Sequence, residues 1–487
     1  MLICLSSLLV IPYLISSAVC AGDQMLPLRV QLISATFIIS GIATILQSSL
    51  GLRLSILHGP SFAYLPAIHA FQLANPCTSE TNWLEQMQVL FGCCLVSSLI
   101  MPFLGLTGLI GQFSKYIGPI TVVPLMALLT IGTVPEIQSK MSIHWISVVE
   151  VLLLIIFVVL LENFQVPIPN FSFKTRKFSF THQKLFSQFP YLIGIAIAWF
   201  ICLILTITNL EPVGGYARTD HNESLAVLHN SPWIQIPLPA QYGAPSFKIS
   251  LIAGFVASAF AATIESVGDY NLCAKISEQS RPPKSSINRA FVIEGVGCFL
   301  AAIMGLGCGV TTYAENIAIM SVTKVVSRVT MQMAGLFLVV AGIVTKLAAF
   351  LAMIPEAIIG GLLACGICMI NGVTLSNLQA VDLHLSRNLT IMGVSIIMGL
   401  VIPLHFEKHE LNTGYLIFDD VFGTLLKIRM LVGGVIAFIL DNITGGATRE
   451  QRGFPQNDSE EHETDGYKFP PKIQRSFSKL PKIPILP

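Results

Sequence analysis

The stretch Gly309-Val-Thr-Thr-Tyr-Ala-Glu-Asn-Ile-Ala-Ile-Met-Ser-Val-Thr-Lys-Val-Val-Ser-Arg328 decides how this sequence is read, because it sets an ionisable side chain, Glu315, in an otherwise apolar region. A charged group near a bilayer centre costs roughly 2.5 to 3.5 kcal/mol, so such groups face a protein interior or a water-filled cavity that uses them. Thr311 to Ala314 suits an extended backbone and the residues from Asn316 to Val326 suit a helix. A broken membrane helix is therefore expected, with backbone N–H groups and a positive dipole end turned toward a ligand.

Composition sets the wider frame. Of 487 residues 53% are hydrophobic and 11% charged, and mean hydropathy is +0.72, whereas soluble domains carry about 25% charged residues. This is an all-α polytopic membrane protein. About 20 apolar residues make a span, and fourteen candidates fall at 2–20, 29–49, 60–73, 86–109, 117–134, 144–162, 187–208, 248–270, 286–306, 314–326, 331–351, 355–373, 388–404 and 424–441. The net charge of +1 and the absence of a basic patch interleaved with aromatics give no sign of a nucleic-acid partner. With a cytoplasmic N-terminus, twenty Lys and Arg fall inside and eight outside, which predicts both termini inside. The same topology puts Asn222-Glu-Ser in an external loop as a glycosylation candidate, and the sequons at Asn170, Asn388, Asn442 and Asn457 inside.

Cysteines such as Cys93, Cys94, Cys202, Cys298, Cys365 and Cys368 lie in apolar segments and are read as small buried hydrophobes, Cys365-Gly-Ile-Cys368 as packing rather than a redox motif. Met1 to Cys20 has the apolarity of a secretory signal, but no basic region precedes it, and a retained first span fits the charge bias.

Seven segments stand on each side of the polar loop 209–246, and each half contains a short interrupted third segment: His58-Gly-Pro-Ser-Phe-Ala-Tyr-Leu-Pro66 and Gly307-Cys-Gly-Val-Thr-Thr-Tyr-Ala-Glu315. Paired interruptions point to the binding site of a 7+7 inverted repeat. In segment eight, Glu265 and Asp269 are spaced i, i+4 and share one helical face, behind a run of small residues that permits close packing. One carboxylate is suited to substrate and the other to a cation or proton. Glu150 and Glu294 read as packing or interfacial groups. The polar tail beyond Asp441 has the composition of a disordered segment.

Glu315-Asn-Ile-Ala-Ile-Met-Ser-Val-Thr-Lys324 resembles the signature of the nucleobase–ascorbate transporter family, its positions here being Glu315, Asn316, Ala318, Thr323 and Lys324. Ile264-Glu-Ser-Val-Gly-Asp-Tyr270, Ser376-Asn-Leu-Gln379, Ser386-Arg-Asn-Leu389 and Ala437-Phe-Ile-Leu-Asp-Asn442 resemble its animal branch. The resemblance implies a core domain (1–110 and 247–352), a gate domain (111–208 and 353–442), an extracellular loop (209–246) and a cytoplasmic tail (443–487). It further implies short extended strands in segments three and ten with the substrate between them, elevator-type symport coupled to Na⁺ or H⁺, no other cofactor, a homodimer, and the plasma membrane as the place of action. Glu265 and Glu315 would contact substrate, the backbone around Ser61, Phe62, Ala63, Ala314 and Asn316 would cradle it, and Asp269 would serve the coupling ion. Two departures stand out. The family's first-segment Gln-His pair would precede Met1, and Ala318 replaces the signature glycine. A truncated inactive homologue and a non-transporting scaffold or sensor therefore stay beside the transport reading.

Glu at the first signature position resembles nucleobase carriers, where vitamin C carriers have Pro. A carboxylate accepts N–H donors of a neutral uracil or xanthine and repels the ascorbate monoanion. The expected substrate is a nucleobase, with Na⁺-dependent ascorbate transport as the alternative. No metal-ligand cluster, nucleophile elbow or phosphate loop marks an enzyme.

Overall fold

The computed structural model of the chain describes residues 4–78, 82–172, 177–409, 411–454 and 467–468. Along the first half run α1 (Leu5–Ala18), α2 (Met25–Ser49), β1 (His58–Pro60), α3 (Leu65–Ala74), α4 (Trp83–Ser97), α5 (Ile100–Leu106), α6 (Leu109–Phe113), α7 (Pro119–Gly132), α8 (Val134–Met141) and α9 (Ile146–Ile155). A hairpin of β2 (Val166–Ser172) and β3 (Lys177–Gln183) leads to α10 (Leu185–Gln188), α11 (Pro190–Ile207) and α12 (Asn222–Asn230). The second half holds α13 (Ile249–Ile276), α14 (Lys284–Ile303), β4 (Val310–Thr312), α15 (Ala314–Thr323), α16 (Arg328–Ile343), α17 (Thr345–Ala352), α18 (Glu356–Asn377), α19 (Ser386–Lys408), α20 (Leu416–Lys427) and α21 (Arg429–Ile443).

Helix starts follow local chemistry. Pro119 and Pro190 open α7 and α11, where a missing N–H leaves no bond unmade. The Asn82 side chain caps α4 by accepting from Leu84 N at 3.1 Å.

Two groups of helices pack separately. In the first, α2 lies along α16, and α14 contacts both α2 and α5. Glycines set these spacings: a Cβ on Gly335 would meet Gly41 O at 2.7 Å, and one on Gly342 would meet Ser34 O at 2.7 Å. Small residues let backbones approach where lipid removes the hydrophobic drive between helices. In the second group, α7 packs with α19 and α21, and α18 with α8 and α9. Gly399 and Gly433 leave room there for the Leu128 side chain. Helices α1, α13 and α15 lie where the groups meet, touching α18, α7 and α20 between them.

Among the described residues, eight helices are long and apolar enough to cross a membrane, ten if each of two bent pairs is one span. The fourteen segments read from sequence exceed this number for a physical reason. Those expected at 2–20, 60–73, 144–162 and 314–326 fold as helices of 14, 10, 10 and 10 residues, the third continued by a π-helical turn over Ile156–Leu160, and α16–α17 and α20–α21 bend by 81° and 80°.

One expectation about cysteine is corrected: Cys368, read as buried, is exposed. Cys20 and Cys77, for which the sequence gave no reading, form a disulfide that ties the end of α1 to the segment after α3. Of the segment expected to be disordered, residues 444–454 and 467–468 are placed against the helices, with Phe454 and Tyr467 buried. Gln456 to Gly466 lie outside the described residues.

Candidate functional site

Among the described residues, two short strands lie within the body of apolar helices, and they pair. Strand β1 runs antiparallel to β4, with His58 opposite Thr312, Gly59 opposite Thr311 and Pro60 opposite Val310. Ser61 N donates to Gly309 O at 2.9 Å and Tyr313 N donates to Leu57 O at 3.0 Å, which extends the ladder at both ends. Two short edges thus satisfy each other where lipid offers no partner. The Thr44 hydroxyl oxygen of α2 accepts from His58 N at 3.0 Å. Each strand then turns into a short helix: β1 through a 3₁₀ turn at Phe62–Tyr64 into α3, and β4 through Tyr313 into α15.

Glycine makes the crossing possible. A Cβ on Gly309 would lie 2.7 Å from the Tyr64 hydroxyl oxygen, and a Cβ on Gly59 would overlap the Tyr313 ring. Each segment therefore lays an aromatic ring on the other's glycine.

Helix α13 packs against β4, α15, α3 and the 3₁₀ turn. Its Ser266 reaches Thr311 of β4, and Glu265 and Asp269, on either side of Ser266 in sequence, are both buried. Glu315 is the second residue of α15 and its side chain is 3% exposed, at a helix start whose free N–H groups favour negative charge. Ser7 Oγ of α1 donates to Glu315 Oε1 at 2.6 Å. Glu265 lies within electrostatic reach of Glu315.

The remaining residues singled out in the sequence divide. Ser61, Phe62, Ala63 and Ala314 are buried at the two strand-to-helix turns, and Ser61 Oγ accepts from Ala63 N at 3.3 Å. The Asn316 amide donates to Ser55 O at 3.0 Å, a bond that pins α15 to the segment before β1. Ala318 is half-buried, and Thr323 and Lys324 stand at the far end of α15. Thr323 and Lys324 thus stand about two turns from Glu315, whereas Ala318 follows it by about one turn on the same helix. Lys324 has φ +57° and ends the helix in a left-handed conformation.

The structure gives definite partners to Glu294, read from the sequence as a packing or interfacial group, and to Ser7, which the sequence did not single out. Glu294 of α14 is 1% exposed and accepts from Ser266 Oγ at 2.7 Å and from the Tyr270 hydroxyl. Tyr270 in turn accepts from Gln47 Nε2 at 2.8 Å, and Ser266 Oγ lies 3.0 Å from Thr311 Oγ1 of β4. Glu294 therefore braces α13, α14 and β4, the packing role of the two expected for it. Its signal in the sequence was only a carboxylate in an apolar run. Ser7 gave no signal at all.

Several polar groups here are buried without a hydrogen-bond partner among the described residues: both carboxylate oxygens of Asp269, both ring nitrogens of His58, Thr312 Oγ1 and the Tyr313 hydroxyl. Buried polar groups are nearly always paired in proteins, so such a cluster fits a place that binds a polar ligand or an ion. No three His, Cys, Asp or Glu side chains among the described residues are placed to share a metal. A cleft of 560 Å³, lined by Leu65, His69, Leu128, Glu136 and Arg429, runs between α3 and the α7–α8 and α20–α21 pairs and reaches the first residue of α3.

Apolar helices around a buried strand pair with carboxylates define a membrane transport protein. The permease-family model (Xan_ur_permease) matches residues 1–408. Solute carrier family 23 member 2 of Mus musculus is 34% identical over 473 residues, covering 93% of this chain and 72% of its own. Member 1 of the same family from Mus musculus is 34% identical over 480 residues, covering 93% and 78%. Nucleobase-ascorbate transporter 11 of Arabidopsis thaliana is 28% identical over 530 residues, covering 97% and 71%. The chain belongs to solute carrier family 23, the nucleobase–ascorbate transporters, and is a membrane transporter, not an enzyme.

Proposed function

We propose that the protein is a secondary active transporter that imports nucleobases of the uracil or xanthine kind. The observation that carries this is the placement of Glu265 and Glu315 beside the β1–β4 pair, with Asp269 on the same face of α13 and both its oxygens unpaired among the described residues. Two carboxylates accept the ring N–H groups of a neutral base, while the backbone at Phe62–Ala63 and Ala314–Asn316 lines the opposite sides. Asp269 takes the coupling ion, Na⁺ or H⁺. A bound cation or proton also offsets the burial of carboxylate charge, which is costly without a partner.

The first helix group with α1, α3, α13 and α15 is the moving core (1–110 and 247–352), and the second is the gate (111–208 and 353–442), an elevator arrangement. Residues 209–246 and Asn222 face outside and both termini lie in the cytoplasm of a plasma-membrane homodimer. The Cys20–Cys77 disulfide supports this sidedness, since disulfides persist on the oxidising side.

Na⁺-dependent ascorbate transport is the second reading, favoured by the unpaired oxygens of Asp269, which suit a hard cation that would neutralise the site for an anion. Uptake of radiolabelled uracil, xanthine and ascorbate, with and without Na⁺, tests both. Saturable uptake of a base supports the first, saturable uptake of ascorbate alone replaces it with the second, and uptake of none overturns transport by this chain.

A further inference from the structure

The chain's last described residues do something that transport chemistry does not require. Tyr467 is 1% exposed. Its hydroxyl donates to Ser280 O at 2.7 Å, in the loop from α13 to α14. Arg289 Nη2 donates to Tyr467 O at 3.0 Å, and the same guanidinium donates through Nε to Gly51 O at 2.8 Å. The Arg53 guanidinium donates to Lys468 O. All these partners belong to the first helix group. Burial raises the Tyr467 phenol pKa above its ordinary value, so the hydroxyl remains a donor through the physiological range.

The segment just after α21 is held by the other group. Arg452 Nη2 and Nε donate to the two Asp441 carboxylate oxygens at 2.8 and 2.9 Å. Gln451 O accepts from Asn388 Nδ2 at 2.9 Å and from Asp382 N at 3.0 Å. The Phe454 ring covers Gly118 at the start of α7, where an added Cβ would lie 2.7 Å from it. Arg281, the neighbour of Ser280, reaches over that ring with its guanidinium carbon 6.0 Å from the centroid.

We infer that the α13–α14 loop is a docking surface for this chain's own C-terminal segment, which thereby straps the first helix group to the second. The Arg449–Phe454 attachment contains a bidentate ion pair with a buried carboxylate. Each attachment restrains the motion of one group relative to the other, so loss of the Tyr467 attachment frees that motion. The effect on transport rests on the elevator reading; the docking does not.

Two measurements separate these claims. In membranes, a short bismaleimide should link Ser280→Cys to Lys468→Cys, a pair that leaves the Tyr467 ring and hydroxyl in place, identified by mass spectrometry of the joined peptides; failure to link overturns the docking surface, whether or not the chain transports anything. Uptake by Tyr467→Ala, at matched surface abundance, should rise about two- to fivefold, the worth of one or two hydrogen bonds in the resting contact. Tyr467→Phe keeps the ring and should rise less, which guards against a fold that fails in the alanine variant. Linking together with unchanged uptake in both variants overturns the strap while leaving the docking in place. Linking with no uptake even by the native chain removes the elevator reading instead.

Discussion

The Tyr313 ring lies on Gly59 of the opposing strand so closely that Gly59 has no room for a side chain, and Tyr64 stands in the same relation to Gly309. The reciprocity ties the two halves of the chain at the point where each is broken. Gly309→Ala should abolish uptake, because its methyl would lie 2.7 Å from the Tyr64 hydroxyl oxygen, and Gly59→Ala should do the same. Shortening the facing ring, as in Gly309→Ala with Tyr64→Leu, should restore surface abundance and part of the uptake. A double-mutant cycle measures the coupling, expected at about 1 to 3 kcal/mol for residues in contact; additive effects would break the link.

Glu265→Gln and Glu315→Gln each keep shape and remove an acceptor of charge. Both should abolish or strongly reduce uptake at unchanged surface abundance, with a loss of about 10- to 100-fold in uptake efficiency for one charged hydrogen bond. Native rates in both variants would remove the site assignment. Ser7→Ala should weaken uptake less, since it removes only the 2.6 Å bond that orients Glu315.

Asp269→Asn should uncouple ion from substrate. Its carboxylate has no hydrogen-bond partner among the described residues, so replacing it relieves a buried charge, and the thermal midpoint without substrate should stay equal or rise. The concentration of coupling ion needed for half-maximal uptake should rise at least tenfold. An unchanged ion dependence would place the ion elsewhere.

Cys20→Ser, Cys77→Ser and the double variant should lower stability by the same amount, about 2 to 4 kcal/mol for a link that closes a loop of this length, since the residues are 57 apart. Thermal unfolding in detergent, with and without reductant, checks this. Reductant should have no further effect on the double variant.

Much of this was legible in the sequence because it depends on composition or on local chemistry. Apolar runs identify the membrane body without reference to neighbours. The Gly-rich breaks at 58–66 and 307–315 announce themselves, since glycine and proline interrupt helices wherever they fall. The i, i+4 spacing of Glu265 and Asp269 already places them on one face.

Other features depend on residues distant in the chain. The partner of Glu315 is Ser7, 308 positions away, and a serine in an apolar helix has no distinguishing neighbour. Glu294 became a bracing group only when Ser266, Tyr270 and Thr311 converged on it. Asn316, a signature residue, turned out to hold the Ser55 carbonyl. The disulfide needed the end of α1 beside the segment after α3, and the tail's composition gave no hint that Tyr467 would be buried under Arg289. The amino-acid sequence by itself determined the solvent this chain lives in, where its helices break and which carboxylates it carries inward, because burying charge in hydrocarbon is costly wherever it occurs. Only the tertiary structure decided which of those groups find partners and which are left unpaired, because hydrogen bonds reach about 3 Å and depend on which distant segments are brought together.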